Sequence, residues 1–143
     1  NSVGDGDGLT IYGSTHVWVD NCTFTQCGDG SLDITHGADW VTVSWCKFQY
    51  TSNTGHNFVN LIGHSDNNAS EDTGKLHVTF HHNWWGQLVH ERMPRVAHIS
   101  AYSCNRSRVR RGIAPSECEI IYTVLSRIGN SFRHSSISSI IAS

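Results

Sequence analysis

Three nine-residue segments share one pattern of apolar and polar positions: His16-Val17-Trp18-Val19-Asp20-Asn21-Cys22-Thr23-Phe24, Trp40-Val41-Thr42-Val43-Ser44-Trp45-Cys46-Lys47-Phe48 and His77-Val78-Thr79-Phe80-His81-His82-Asn83-Trp84-Trp85. Each has two apolar residues two apart, a polar pair, a small residue and then an aromatic. Period-two alternation of β-branched and aromatic residues predicts a strand with one face buried. The copies are offset by 24 and then 37 residues, so the repeat is about one solenoid coil, with an insertion in the second interval. Shorter apolar runs lie between them, at Leu9 to Tyr12, Leu32 to Thr35 and Val59 to Ile62. Several short strands per repeat, Gly-rich corners and no convincing helical period predict an all-β chain wound as a parallel β-helix. A β-sandwich is the alternative for a chain of short strands.

Composition divides the chain in two. Residues 1–96 hold ten of the twelve acidic residues and four of the ten Lys and Arg, a net charge of −6, with all five tryptophans and eleven of the thirteen glycines. Residues 97–143 hold six Arg, no Lys, two Glu and no Asp, a net charge of +4, with eleven Ser. The predicted domains are therefore a β-helix core over 1–96 and an anomalous Ser/Arg-rich segment over 97–143, in which strand alternation fades. That segment reads as a polyanion-binding arm, a poorly ordered stretch, or an out-of-frame translation of sequence that once continued the solenoid. Asn1-Ser2-Val3-Gly4 opens onto strand-like sequence without an initiating Met or a charged and apolar leader, which reads as an internal fragment. A partial solenoid of this kind exposes strand edges at both ends. No apolar run approaches the roughly 18 residues that cross a bilayer, so no membrane partner is expected.

The candidate chemistry is acidic. Asp29 and Asp33 are four apart, a spacing that on one strand puts both carboxylates on the same face. Asp7 lies 22 residues before Asp29, about one coil, which places it on the neighbouring winding. Clustered carboxylates repel unless a cation sits among them, and Ca²⁺ accepts several hard oxygens in loose geometry. Asp7, Asp29 and Asp33 are thus the candidate metal ligands, against the plainer reading that Asp-Gly steps only make turns. An EF-hand is disfavoured, because position 12 counted from Asp5 is His16 rather than Glu.

With Asp7-Gly8-Leu9, Asp29-Gly30-Ser31-Leu32-Asp33, Leu61-Ile62-Gly63-His64-Ser65-Asp66, Val78-Thr79-Phe80-His81-His82-Asn83 and Arg92-Met93-Pro94-Arg95 in this order and spacing, the chain closely resembles the pectate lyases of polysaccharide lyase family 1, from about residue 5 to residue 96. The resemblance implies a right-handed parallel β-helix, secretion, and Ca²⁺-assisted cleavage of polygalacturonate by β-elimination. It implies Arg92 as the catalytic base, Arg95 as a substrate-binding residue, and Asp7, Asp29 and Asp33 as primary calcium ligands. A monomer without a nucleic-acid partner is expected. A body at −6 should repel a polyanion, and bound Ca²⁺ reverses that sign locally.

The chain departs from the family pattern at two cations. Ala97 stands where the family's second Arg belongs, and Phe58 where a Lys is usual. Each charge-assisted contact typically contributes about 1.5–3 kcal/mol, so both losses weaken the grip on a polyuronate. Two alternatives therefore stand beside a calcium-dependent lyase: a non-catalytic polyuronate-binding solenoid or inactive fragment, and a pectin lyase acting on methyl-esterified polymer. The last is disfavoured, because such enzymes dispense with the calcium cluster. The ten histidines read as solvated or stacked rather than as a zinc site. Cys22 and Cys46 hold equivalent repeat positions, compatible either with a disulfide or with packed thiols. Of three glycosylation sequons, Asn68 in a polar loop is the plausible one.

Overall fold

The chain winds as a parallel β-helix whose three sheets run along the molecule. The computed structural model describes residues 6–97 and, as backbone only, two further strands at 102–111 and 118–126. The first coil is β1 (Leu9–Tyr12), β2 (Thr15–Asp20) and β3 (Thr23–Thr25). The second is β4 (Leu32–Thr35), β5 (Asp39–Ser44) and β6 (Lys47–Gln49); the third is β7 (Asn60–Ile62), β8 (Val78–His81) and β9 (Trp84–Trp85). β10 (Arg95–Val96) opens a fourth. Strands stack parallel as β1-β4-β7-β10, as β2-β5-β8 and as β3-β6-β9.

The register carries the repeat. Trp18 pairs with Thr42 and Val43 with Phe80, offsets of 24 and 37 residues. The longer interval accommodates a 3-10 turn (Asp66–Asn68) and a single helical turn α1 (Ala69–Asp72) between β7 and β8. Each nine-residue repeat is two strands rather than one. Asn21, Trp45 and His82 stack at the corner between them, with φ of 53°, 52° and 54°. This left-handed conformation is costly for a non-glycine residue. The corner lets apolar positions on both sides turn inward, Val19, Val43 and Phe80 before it and Phe24, Phe48 and Trp85 after it, and at the second coil the buried Asn83 satisfies the bend. Its Oδ1 accepts the Cys46 N–H at 2.9 Å and its Nδ2 donates to the Val43 carbonyl at 2.8 Å.

Inward rows follow from the pleat: Ile11, Ile34 and Ile62 on the first sheet, Val19, Val43 and Phe80 on the second, all buried. On the third sheet Phe24, Phe48 and Trp85 stack with ring centroids 5.0 and 5.9 Å apart. Phe48 is wholly buried between its neighbours. Phe48→Ala is expected to cost about 3–5 kcal/mol of unfolding free energy, read by urea denaturation, since the rigid coils above and below cannot collapse into the cavity.

The histidines mostly stack on the outside. His77 lies 4.4 Å from Trp40 and His82 4.4 Å from Trp45, ring centroid to centroid, stacked as the repeat register places them. Cys22, Cys27 and Cys46 are free thiols, so the packed-thiol alternative is the one realised at Cys46, which is buried and donates to the Ser44 carbonyl. Beyond residue 97 the parallel pattern breaks: β11 (Tyr102–Arg111) and β12 (Cys118–Ser126) form an antiparallel pair, and β12 runs antiparallel to β8. The side chains of Cys104, Asn105 and Cys118 lie outside the described residues.

Candidate functional site

The outer face of the first sheet carries the acidic residues. Thr10, Asp33, Leu61 and Arg95 are in register across β1, β4, β7 and β10, so their side chains form one outward row. The alternation that sends Leu32 and Ile34 into the core sends Asp33 to this face, where it is nonetheless nearly covered, at 9% exposed.

Two of the three aspartates come together here. The offset between β1 and β4 is 23 residues, which sets Asp7 opposite Gly30 rather than Asp29. Asp7 Oδ1 accepts the Gly30 N–H at 3.0 Å and its Oδ2 accepts the Thr10 hydroxyl at 2.9 Å. A methyl group built on Gly30 would lie 2.9 Å from Asp33 Oδ1 and 3.0 Å from Asp7 Oδ1, so oxygens of both carboxylates converge on the space above this glycine. Asp33 Oδ1 is buried and has no hydrogen-bond partner. Burial, and then the Asp7 carboxylate, push the Asp33 pKa up from 3.8 to about 7, against a lowering by Arg92 and by a hydrogen bond from the Leu61 backbone.

Asp29 is the outlying member. It precedes β4 in the turn, not on the strand, so the four-residue spacing to Asp33 does not build a row. Its Oδ1 is 2.6 Å from His56 Nε2, in a pair about half exposed on both sides. Its charge still raises the Asp33 pKa, as the smallest of the contributions. Among the described residues, no three His, Cys, Asp or Glu side chains are gathered as metal ligands.

The two arginines flank the carboxylates. Arg92 follows β9 by way of a loop and has φ of 62°, and its carbonyl accepts the Asn60 N–H at 2.8 Å, anchoring it at the start of β7. The Met93-Pro94 peptide is cis. Arg95 is exposed on β10, in the same row as Asp33 and two strands away. Ala97 is buried, its N–H bonded to the Ile62 carbonyl at 2.8 Å and its Cβ packed toward Gly63. Position 97 is therefore covered beside Gly63 rather than exposed to a substrate. Phe58, where a cation was expected, joins the site through its ring, which lies beneath the Arg92 guanidinium. His56 had no signal in the sequence, since it belongs to neither repeat nor motif.

A buried carboxylate oxygen without a donor, beside a second carboxylate and a glycine that leaves room between them, is a donor set of hard oxygens suited to Ca²⁺. Gly30→Ala is expected to cost little stability, because only the ends of two Asp side chains need rotate. It should weaken calcium binding about tenfold by filling the space the oxygens share, as isothermal titration calorimetry would show.

Comparison with known proteins agrees with the fold. Residues 2–109 match the family described as pectate lyase. The chain is 38% identical over 102 residues to a pectate trisaccharide-lyase of Thermotoga maritima, covering 71% of this chain and 26% of that protein. It is 43% identical over 116 residues to pectate lyase E of Dickeya chrysanthemi, covering 69% and 27%. To the probable pectate lyase B of Aspergillus flavus it is 44% identical over 99 residues, covering 64% and 28%. The chain thus spans about a quarter of the length of the curated relatives it matches.

Proposed function

This chain belongs to the pectate lyase family, and we propose that its acidic face is the substrate cleft of a calcium-assisted, secreted lyase that cleaves polygalacturonate by β-elimination. The observation that carries the reading is the convergence of Asp7 and Asp33 oxygens over Gly30, with Asp33 Oδ1 lacking a donor. Asp7 and Asp33 would hold the ion, with Asp29 as the third carboxylate of the set. A calcium ion held there would supply positive charge that acidifies the C–H beside the substrate carboxylate.

The chain's own residues divide the remaining work. Arg95 binds a substrate carboxylate, since it is exposed in the row that also holds Asp33. Arg92 takes the proton α to the uronate carboxylate, the electron pair left behind forms a double bond to the β carbon, and the C–O bond there breaks, the departing oxygen taking a proton from solvent; the product is an unsaturated uronide. A guanidinium is an unusual base, and it acts as one only where nearby cations favour its neutral form. The chain acts as a monomer. Among the described residues no helix is long and apolar enough to cross a membrane.

A second reading is favoured by Ala97: a methyl group at position 97 leaves one clamp on the substrate missing, and the chain would bind polyuronate without turning it over. Absorbance of unsaturated product from polygalacturonate, with and without chelator, separates the two. Chelator-sensitive product is expected; binding without product selects the second reading, and chelator-resistant cleavage of esterified pectin selects a pectin lyase.

We assign residues 1–96 to the β-helix core and 97–143 to a separate segment. The charge reversal and the change from parallel stacking to an antiparallel pair support this boundary, although the family match runs on to residue 109. An origin of the segment in a shifted reading frame predicts a strand-patterned continuation in another frame of the gene. Neither alternative frame reading as strands would end that idea.

A further inference from the structure

Arg92 rests on an aromatic ring. Its guanidinium carbon lies 4.6 Å from the centroid of Phe58, and among the described residues no hydrogen bond or ion pair holds its head group. The same ring meets the His56 imidazole, with centroids 4.1 Å apart and planes inclined by 46°. Phe58 is itself well fixed. Its carbonyl accepts the hydroxyl of the fully buried Tyr50 at 2.6 Å, and its backbone bridges to Glu91, beside Arg92. The preceding Asn57 is buried and donates to the Ser52 and Leu88 carbonyls at 3.1 and 2.9 Å. His56 is tied in turn to Asp29.

We propose that Phe58 is the positioning residue for Arg92: the ring, supported by His56, holds the guanidinium by its face and aims it at the uronate. This rests on the lyase reading above. The physical reason lies in what an aromatic partner leaves free. A carboxylate partner would occupy the in-plane N–H groups, whereas a ring attracts the guanidinium by its face and leaves its edges open to substrate. Phe58 thus replaces the expected second cation with a support for the first, and Arg92 contributes a pre-aimed group without an internal ion pair to break.

The test uses the whole chain loaded with calcium, and Phe58→Leu, which keeps bulk but removes the ring face, beside Phe58→Tyr, which restores it. Circular dichroism melts establish that both are folded. The ¹H–¹⁵N heteronuclear NOE of Arg92 Nε, assigned by its disappearance in Arg92→Lys, reports whether the head group is held. Phe58→Leu is expected to reduce this NOE to the level of solvent-exposed arginines and to lower kcat on polygalacturonate at least about tenfold, with KM within about twofold. Phe58→Tyr should recover both. An Arg92 Nε as rigid in Phe58→Leu as in the parent overturns the proposal, as does an unchanged kcat. A parent chain that forms no unsaturated product overturns the lyase reading instead. The NOE then decides the aromatic hold alone: loss in Phe58→Leu upholds it, and no loss refutes it.

Discussion

Arg92→Lys is expected to reduce formation of unsaturated uronide by about 10³-fold or more, while calcium affinity stays within about twofold of the parent. Lysine keeps the charge, so the local field that acts on Asp33 and on an incoming uronate is largely preserved. What is lost is the planar head group that rests on Phe58 and the directed nitrogen that a general base needs within reach of the α proton. Removal of a positioned acid or base typically costs 10²- to 10⁴-fold. The measurement is product absorbance at saturating substrate, paired with calorimetric titration of calcium. Parallel loss of turnover and calcium affinity would show that Arg92 supports the fold of the pocket and not the proton transfer.

Asp33→Asn is expected to act on metal binding and on the pH dependence of stability together. In the metal-free chain the Asp33 carboxyl has its pKa raised to about 7 by burial and by Asp7, from 3.8. The folded state therefore holds a proton that the unfolded state has already released. The stabilisation from that proton is fully present below about pH 4 and is lost as pH rises through about 7. Its full size is on the order of 4 kcal/mol. Urea unfolding of metal-free protein should thus show stability falling between about pH 4 and 7, and calcium should restore it by substituting a cation for the proton. The amide of Asp33→Asn cannot ionise, so its stability should be flat over that window and calcium affinity should drop about 10²-fold or more. A pH slope that survives in Asp33→Asn would place the responsible group elsewhere.

The two predictions divide the site by function. Asp33 belongs to a strand, with its backbone in the sheet and its side chain committed by the pleat, so its environment is as rigid as the core beneath it. Arg92 belongs to a loop and owes its direction to a left-handed φ and a ring face. Substitution around Arg92 is for that reason expected to change rates more than stability. Substitution beside Asp33 is expected to change stability and metal affinity together.

Much of the architecture was legible in the chain alone. The offsets of 24 and 37 residues between repeats are the offsets of the strand registers, because a parallel coil stacks like on like and hydrophobic side chains turned inward must repeat with the winding. The same alternation placed Asp33 on the outer face between two core residues. The family motifs, from Asp7 to Arg95, were equally readable, since each is local. What local pattern could not supply was the length of each turn. A spacing of 22 residues looks like one coil, but the first sheet advances by 23, and that single residue turns Asp29 away toward His56 while Asp7 meets Gly30. Period-two geometry makes a one-residue shift decisive, because it exchanges the two faces of a strand. Only the folded chain decided that Ala97 is covered beside Gly63, that Phe58 carries Arg92, and that a buried Asp33 oxygen is left without a donor. These are contacts between residues far apart in sequence, and they are set by how the coils pack rather than by the character of any one segment.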